Sequence, residues 1–330
     1  MCSSFFHTFF YRLDRLPRAW AWGTGLAVGG LAGLGLLFAP TAPGTAGFLG
    51  LLVVVYWLVS SSKPVAFEYA TPEPRLAQPK PPETPPTPIE DPLWASIPSG
   101  RFRMGSNDYY SEKPVHKVAI SAFQCLRTPV TRQLYQQIMG QDPGWPEGEA
   151  DLRPVNEVSW FDAVKFCNRW SEVLGLSSCY QIDGNTVSWN DQADGIRLLT
   201  EAEWEYACRA GSKGKWCFGD DETQLPDYAW FNENSDNQPH PVREKRANDF
   251  GLFDMHGNVW EWCWDCYGAY VAEAQADPAG AATGSYRVLR GGAFDFRPGN
   301  LRSAVRVWNV PEIEDWSVGF RCARGTRRPE

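Results

Sequence analysis

Basic charge is in short supply in this 330-residue chain: 31 Lys and Arg stand against 39 Asp and Glu, a net charge of −8. That deficit excludes a general nucleic-acid binder working through a basic surface. Repeats are missing too. No period of about 20–50 residues recurs, which excludes a solenoid or propeller array. Helical periodicity is missing after about residue 211, where Gly, Asn, Asp and Trp crowd together, so that half is expected to be a loop-built surface held by buried aromatics. Histidine is scarce, with four in the chain. What is plentiful is Trp (16), Gly (30), Pro (26) and Cys (9), in a chain that is 43% apolar and 21% charged. This is a globular balance that argues against wholesale disorder and points to a mixed α+β domain. Nine cysteines is an odd number, so a closed disulfide framework cannot use them all.

Charge itself is absent from Ala19 to Ser62. The Gly/Ala/Leu-rich run from about 19 to 40 can cross a hydrocarbon core of about 30 Å, and the run from 46 to 61 is a minimal second span. Pro40, Pro43 and Gly44 between them make a natural reversal. The expected arrangement is a transmembrane helical hairpin over 19–62, with residues 1–18 cytoplasmic because of Arg12, Arg15 and Arg18. A hairpin returns the large domain to the cytoplasm as well. One span plus a re-entrant segment is the rival, and it places the domain outside. Residues 63–92 hold ten prolines, which forbids regular structure and predicts an extended, semi-rigid linker. The large domain is expected over 93–325, with 326–330 a short tail.

Helix starts are readable within that domain. Thr131 caps RQLYQQIM and Gly140 stops it; Ser159 opens an amphipathic helix; Thr200 and Glu203 form a capping box for a helix running to Gly211. Lys117–Ile120, Thr186–Trp189 and Arg287–Leu289 read as strands.

A series of motifs then follows in fixed order. These are Phe102–Gly105 (FRMG), Arg153–Trp160 (RPVNEVSW), Arg197–Ala207 (RLLTEAEWEYA), Asn248–Trp262 (NDFGLFDMHGNVWEW), Arg287–Gly292 (RVLRGG), Arg302–Ala304 (RSA) and Gly319–Cys322 (GFRC). In order and spacing they closely resemble the formylglycine-generating enzyme, or sulfatase-modifying factor, family. The resemblance implies an α+β fold, a variant of the C-type lectin fold. Fold is not function. Members that make formylglycine bind copper(I) through two cysteines five residues apart after the Gly-Gly pair, a soft thiolate site. The resemblance puts those positions at Phe296 and Leu301, which cannot ligate a metal, so no copper is expected. The alternative is a sulfatase-modifying-type oxidoreductase acting on a peptidyl cysteine. Iron-dependent relatives use a histidine triad from an added helical domain that this chain lacks, and His256 reads as a hydrogen-bonder in a tight turn. Cys263-Trp264-Asp265-Cys266 is a lone C-x-x-C, a weak zinc signal, with Cys263 expected in the core and Cys266 partly exposed. Cys167 and Cys179 are expected to pack, or to bond to each other in an oxidising compartment.

Two further sites follow from the resemblance. Asp254–Glu261 matches a family calcium loop, with side chains of Asp254 and Glu261 and carbonyls of Gly257 and Val259 as oxygen ligands. A second calcium site would need an acid where Arg243 stands. The segment 294–318 is placed at the exposed ligand-binding surface. Phe294, Asp295, Phe296, Arg297, Val307, Trp308, Asn309, Val310, Asp315 and Trp316 are its candidate ligand-binding residues, a recognition-surface composition. Arg302, Arg306 and Arg321 are expected to hold loop backbone as scaffold. The layout also resembles the variable proteins of diversity-generating retroelements. The reading is therefore a membrane-anchored, non-catalytic binding module for an unidentified protein or other ligand, with no nucleic-acid partner.

Overall fold

The computed structural model describes residues 93–140 and 152–325. The expected hairpin, the linker and the tail lie outside the described residues, and among those described no helix is long and apolar enough to cross a membrane. Chain order begins with β1 (Trp94–Ile97), β2 (Gly100–Met104), β3 (His116–Ile120), β4 (Phe123–Leu126) and helix α1 (Arg132–Met139). Helix α2 (Trp160–Val173) precedes β5 (Tyr180–Asp183), β6 (Thr186–Trp189) and β7 (Ile196–Leu198). Then come α3 (Glu201–Arg209), the single turn α4 (Leu225–Tyr228), β8 (Ala229–Trp230), β9 (His256–Gly257) and β10 (Trp260–Cys266). The chain closes with β11 (Gln275–Ala276), β12 (Arg287–Arg290), β13 (Arg306–Asn309), β14 (Val318–Phe320) and β15 (Cys322–Arg324).

The three long helices start on the capping residues that the sequence marks. The Thr131 side chain accepts from the Leu134 N–H, and Ser159–Asp162 and Thr200–Glu203 close reciprocal capping boxes, satisfying amides that have no partner inside the helix. Gly140, at φ 78°, ends α1 in the left-handed region. Helix α3 stops two residues earlier than its glycine implies. Ala210 already turns left-handed (φ 44°), with its N–H on the Tyr206 carbonyl.

Two four-stranded sheets organise the domain, in the orders β1-β4-β15-β7 and β13-β12-β10-β14. The first is antiparallel throughout; in the second, β10 and β14 run parallel. A three-stranded sheet, β11-β3-β2, leaves β2 at its edge. Tryptophans fill the space between. Trp160, Trp204 and Trp262 are fully buried, and their indole N–H groups donate to Cys263 O (2.9 Å), Glu261 Oε2 (2.7 Å) and Val158 O (3.0 Å). A buried indole needs such a partner. Trp262 anchors the half after residue 211 in this way, whereas Trp216 is buried there with its Nε1–H unpaired among the described residues.

Every residue of α3 is buried, including three glutamates, so each carboxylate must find its charge inside. Glu203 takes a bidentate bond from Arg197 (2.7 and 2.9 Å). Glu201 takes one from Arg306 (2.6 and 2.7 Å). Glu205 lies between Arg209 (2.8 Å) and Arg290. Burial works to raise the Glu205 pKa, yet the two guanidiniums bring it below the usual carboxylate range. Glu261 and Glu112 likewise hold Arg321 and Arg302. The expectation that Arg302, Arg306 and Arg321 hold loop backbone is therefore corrected in part. They do donate to carbonyls such as Gly299, Gly268 and Phe253, but each has a buried carboxylate as its main partner.

Candidate functional site

The segment between β12 and β14 leaves the sheet through Gly291 (φ 100°) and Gly292 (φ 77°). A Cβ on Gly292 would meet Leu301 at 2.8 Å, so glycine is required both for conformation and for room. The next residues separate sharply. Phe294 is fully buried and meets Trp316 edge-on, 5.0 Å between ring centres. Its backbone N–H donates to Asn258 O, and its carbonyl accepts from Ser235 Oγ. Phe294 is core, which corrects its assignment to the ligand surface: a ring clamped on both sides of its backbone has no route outward. Arg297 is exposed, and Asp295, Phe296, Val307, Trp308, Asn309, Val310, Asp315 and Trp316 are half-buried.

The half-buried residues form two aromatic groups rather than one row. Phe296 packs edge-on against Trp260 (5.3 Å). Trp308, on the edge strand β13, packs at a tilt against Tyr286 (4.0 Å between ring centres) beside Tyr267. Asp315 is committed to a local turn, its Oδ1 accepting from the Ser317 N–H and Oγ. Asn309 Oδ1 accepts from the Val310 N–H. Neither Asp315 nor Asn309 points its whole polar head at a ligand.

Leu301, at the second thiol position, is fully buried among Trp216, Leu225, Ala229 and Phe231. Beside it, His256 Nδ1–H donates to the Leu301 carbonyl (2.7 Å) and Nε2 accepts from the Cys217 N–H (3.1 Å). Both ring nitrogens are thus used, as expected of a structural histidine. The Cys208 Sγ lies 3.8 Å from His256 Nε2, yet that nitrogen is already occupied and cannot take the thiol proton. All eight cysteines among the described residues are free thiols. Cys263 is buried and Cys266 half-buried, as the C-x-x-C reading expects. The thiol nearest Cys167 is Cys322 (Sγ–Sγ 3.9 Å), while Cys179 Sγ meets Ala193 O. The alternative of a Cys167–Cys179 bond does not occur.

The Asp254–Glu261 loop is shaped by left-handed Asp254 (φ 55°), Gly257 (φ 80°) and Asn258 (φ 60°). Asp254 Oδ2 accepts from the Arg243 N–H at 3.0 Å. Glu261 spends both oxygens on Arg321 (2.7 Å each) and one also on Trp204. As folded, both carboxylates are engaged, since Asp254 Oδ1 also accepts from Asn258 Nδ2 at 3.4 Å, and calcium would have to displace Arg321 from Glu261. Among the described residues, no group of three or more His, Cys, Asp or Glu is placed to hold a metal. The expected result of adding millimolar calcium is an unchanged melting temperature; a rise of several degrees would show that Glu261 exchanges Arg321 for the ion.

The family model described as a sulfatase-modifying factor enzyme 1-like domain matches residues 80–326. The chain belongs to that family. It is 33% identical over 201 residues to a Paenibacillus barcinonensis protein named chaperone protein LppX, covering 51% of this chain and 70% of the relative. It is also 33% identical over 279 residues to a Streptomyces coelicolor formylglycine-generating enzyme, covering 69% of this chain and 87% of the relative. Among solved structures, Treponema denticola variable protein 1 superposes with a TM-score of 0.67 at 33% identity, over 71% of this chain and 95% of its own.

In this member of the sulfatase-modifying factor enzyme 1-like family, burial governs the thiols. It pushes Cys125, Cys179 and Cys208 up to about 12 and Cys217, Cys263 and Cys322 upward as well. Thiolate is the reactive form. Site-resolved alkylation at neutral pH is therefore expected to label Cys266 before any of these six, and to reach them only in denaturant. Fast labelling of Cys208 or Cys263 in the folded chain would contradict the geometry.

Burial also opposes Asp254 and His256 to one another. It pushes Asp254 up from 3.8 to about 6 and His256 down from 6.5 to about 4. A raised carboxyl binds its proton first in the folded chain, so Asp254 favours folding increasingly as pH falls from about 6 to 4. A depressed imidazole binds its proton first in the unfolded chain, so His256 costs stability as pH falls from 6.5 to about 4. At about 1.4 kcal/mol per pKa unit, the two effects are each about 3 kcal/mol and nearly cancel. With calcium chelated, Asp254→Asn should lose melting temperature faster than wild type on acidification through this window, and His256→Gln more slowly. Parallel pH profiles would contradict both assignments.

Proposed function

We propose that residues 93–325 are a non-catalytic binding module, presented from a membrane by the apolar segments within 19–62 and spaced from it by the proline-rich linker. The observation that carries this reading is the pair Phe296 and Leu301 at the positions where formylglycine-forming relatives place copper-binding cysteines. Phenylalanine and leucine offer neither lone pair nor redox chemistry. Leu301 is moreover built into a hydrophobic cluster. The ligand face is drawn from the accessible part of 294–318: Phe296, Arg297, Val307, Trp308, Asn309 and Val310, with Asp295, Asp315 and Trp316 at its margin. The likeness to Treponema denticola variable protein 1 supports a face that is diversified while its frame stays fixed.

Sequencing the gene across many cells of one population tests the diversification. Substitutions should concentrate in the codons for 294–318 and spare Gly291, Gly292, Arg302, Arg306 and Arg321, which the frame requires. An even spread along the gene would end that reading. The membrane tether has its own test. A reporter that is active only outside the cytoplasm, attached after residue 70, should stay silent, and activity there would place the domain on the other side.

A further inference from the structure

Apart from the face above, a cleft of about 1200 Å³ runs along β2 and carries charge opposite to that of the chain. Gly100, Arg101, Phe102 and Arg103 all line it. The cleft also reaches Lys117–Ala119 of β3 and Gln275–Ala276 of β11, so it spans the three-stranded sheet and ends at its edge strand β2. That edge is open: β2 is outermost in the order β11-β3-β2, and among the described residues no backbone hydrogen bond joins Gly100–Met104 to anything but β3.

The side chains along this edge are basic and uncompensated. Arg103 lies directly opposite Lys117 in the β2–β3 register, an arrangement in which like charges destabilise a sheet. Arg101 is two residues along on the same face as Arg103, and both are exposed, as is Lys117. Lys213 and Lys215, from the turn after α3, line the same cleft. None of these five is in an ion pair among the described residues. The acids that line the cleft are already engaged: Asp108 pairs with Arg302, and Asp220 Oδ1 takes the Lys215 backbone N–H. A like-charge pair kept opposite itself on an open edge lowers the stability of the free chain, and an anionic occupant removes that penalty.

We infer that β2 is a docking edge for an extended acidic segment of a partner protein, added as a further strand. Main-chain hydrogen bonds to β2 supply affinity, and carboxylates at every second position, about 7 Å apart, meet the Arg101–Arg103 row and Lys117. Charge-assisted bonds then give the acidic preference. A nucleic acid fits less well, because a chain of net charge −8 repels a long polyanion beyond the cleft. Arg302 and Ala304 of the 294–318 segment also line the cleft, but Phe296, Arg297 and Val307–Val310 of the proposed ligand face do not, so either site can fail without the other.

The test uses the full chain and a labelled ten-residue peptide alternating Glu and Val, read by fluorescence anisotropy. Binding that weakens with salt, about tenfold or more weaker binding when Gln replaces Glu, and loss on N-methylation of alternate peptide amides are the expected results. Arg103→Glu should weaken binding about tenfold or more while leaving the melting temperature equal or higher, since it puts opposite charges across from each other. If Arg103→Glu does not fold, Lys213→Glu in the turn gives the same reading. Equal binding of the Gln peptide, of the N-methylated peptide or by the charge-reversed chain would overturn the inference. So would tighter binding of a single-stranded oligonucleotide of equal charge.

Discussion

Glu205→Ala should lower the melting temperature by about 6–20 °C. The carboxylate is inaccessible to solvent and lies between Arg209 and Arg290, with the Gly105 N–H also donating to it at 2.9 Å. Its removal leaves Arg290, itself fully buried, with the Val305 carbonyl and Glu201, at 3.6 Å, as its one remaining carboxylate among the described residues. Breaking a buried pair from one side costs about 3–5 kcal/mol, and in a domain of this size each kcal/mol moves the midpoint by about 2–4 °C. The matched control is Glu172→Ala. Glu172 pairs with Arg169 on the surface of α2, with both side chains more than half exposed, and such pairs contribute about 0–1 kcal/mol. Equal small shifts in the two variants would mean that the buried arginines find other acceptors, and that the glutamates of α3 do not organise the domain.

Phe294→Ala should cost about 3–5 kcal/mol, because it opens a cavity beneath Trp316 that the surrounding chain cannot fill. The neighbouring backbone is fixed by Asn258 and Ser235, which prevents collapse. Arg297→Ala, three residues on and exposed, should stay within about 0.5 kcal/mol of wild type. The contrast separates frame from ligand face inside one short segment. A Phe294→Ala protein that melts like wild type would return that ring to the surface and redraw the face around it.

Much of this was legible in the residues. The helix starts at Thr131, Ser159 and Thr200 could be read because capping is a local interaction among neighbours in sequence. The family motifs implied the fold. The α3 lattice was only partly legible: Glu201 and Glu203 look like an ordinary acidic first turn, and although Arg197 lies six residues from Glu203, Arg306 and Arg290, the partners of Glu201 and Glu205, are set by sheet pairing far along the chain. Distance along the chain also hid the commitment of Glu261 to Arg321. Strand β10, Trp260–Cys266, was missed because its residues are buried almost without break on both faces, so no alternation marks it. Phe294 and Phe296 have the same chemistry in the sequence; only packing makes one frame and the other accessible. The cleft along β2 depends on a register, Arg103 opposite Lys117, that charge counting alone could not supply.

The central claim is that Phe296 and Leu301 leave this domain without the thiol pair needed to oxidise a cysteinyl peptide. Copper(I), oxygen and such a peptide, supplied to the purified full chain and followed by mass spectrometry, should yield no aldehyde above a protein-free blank. Aldehyde formed in proportion to added protein would contradict it.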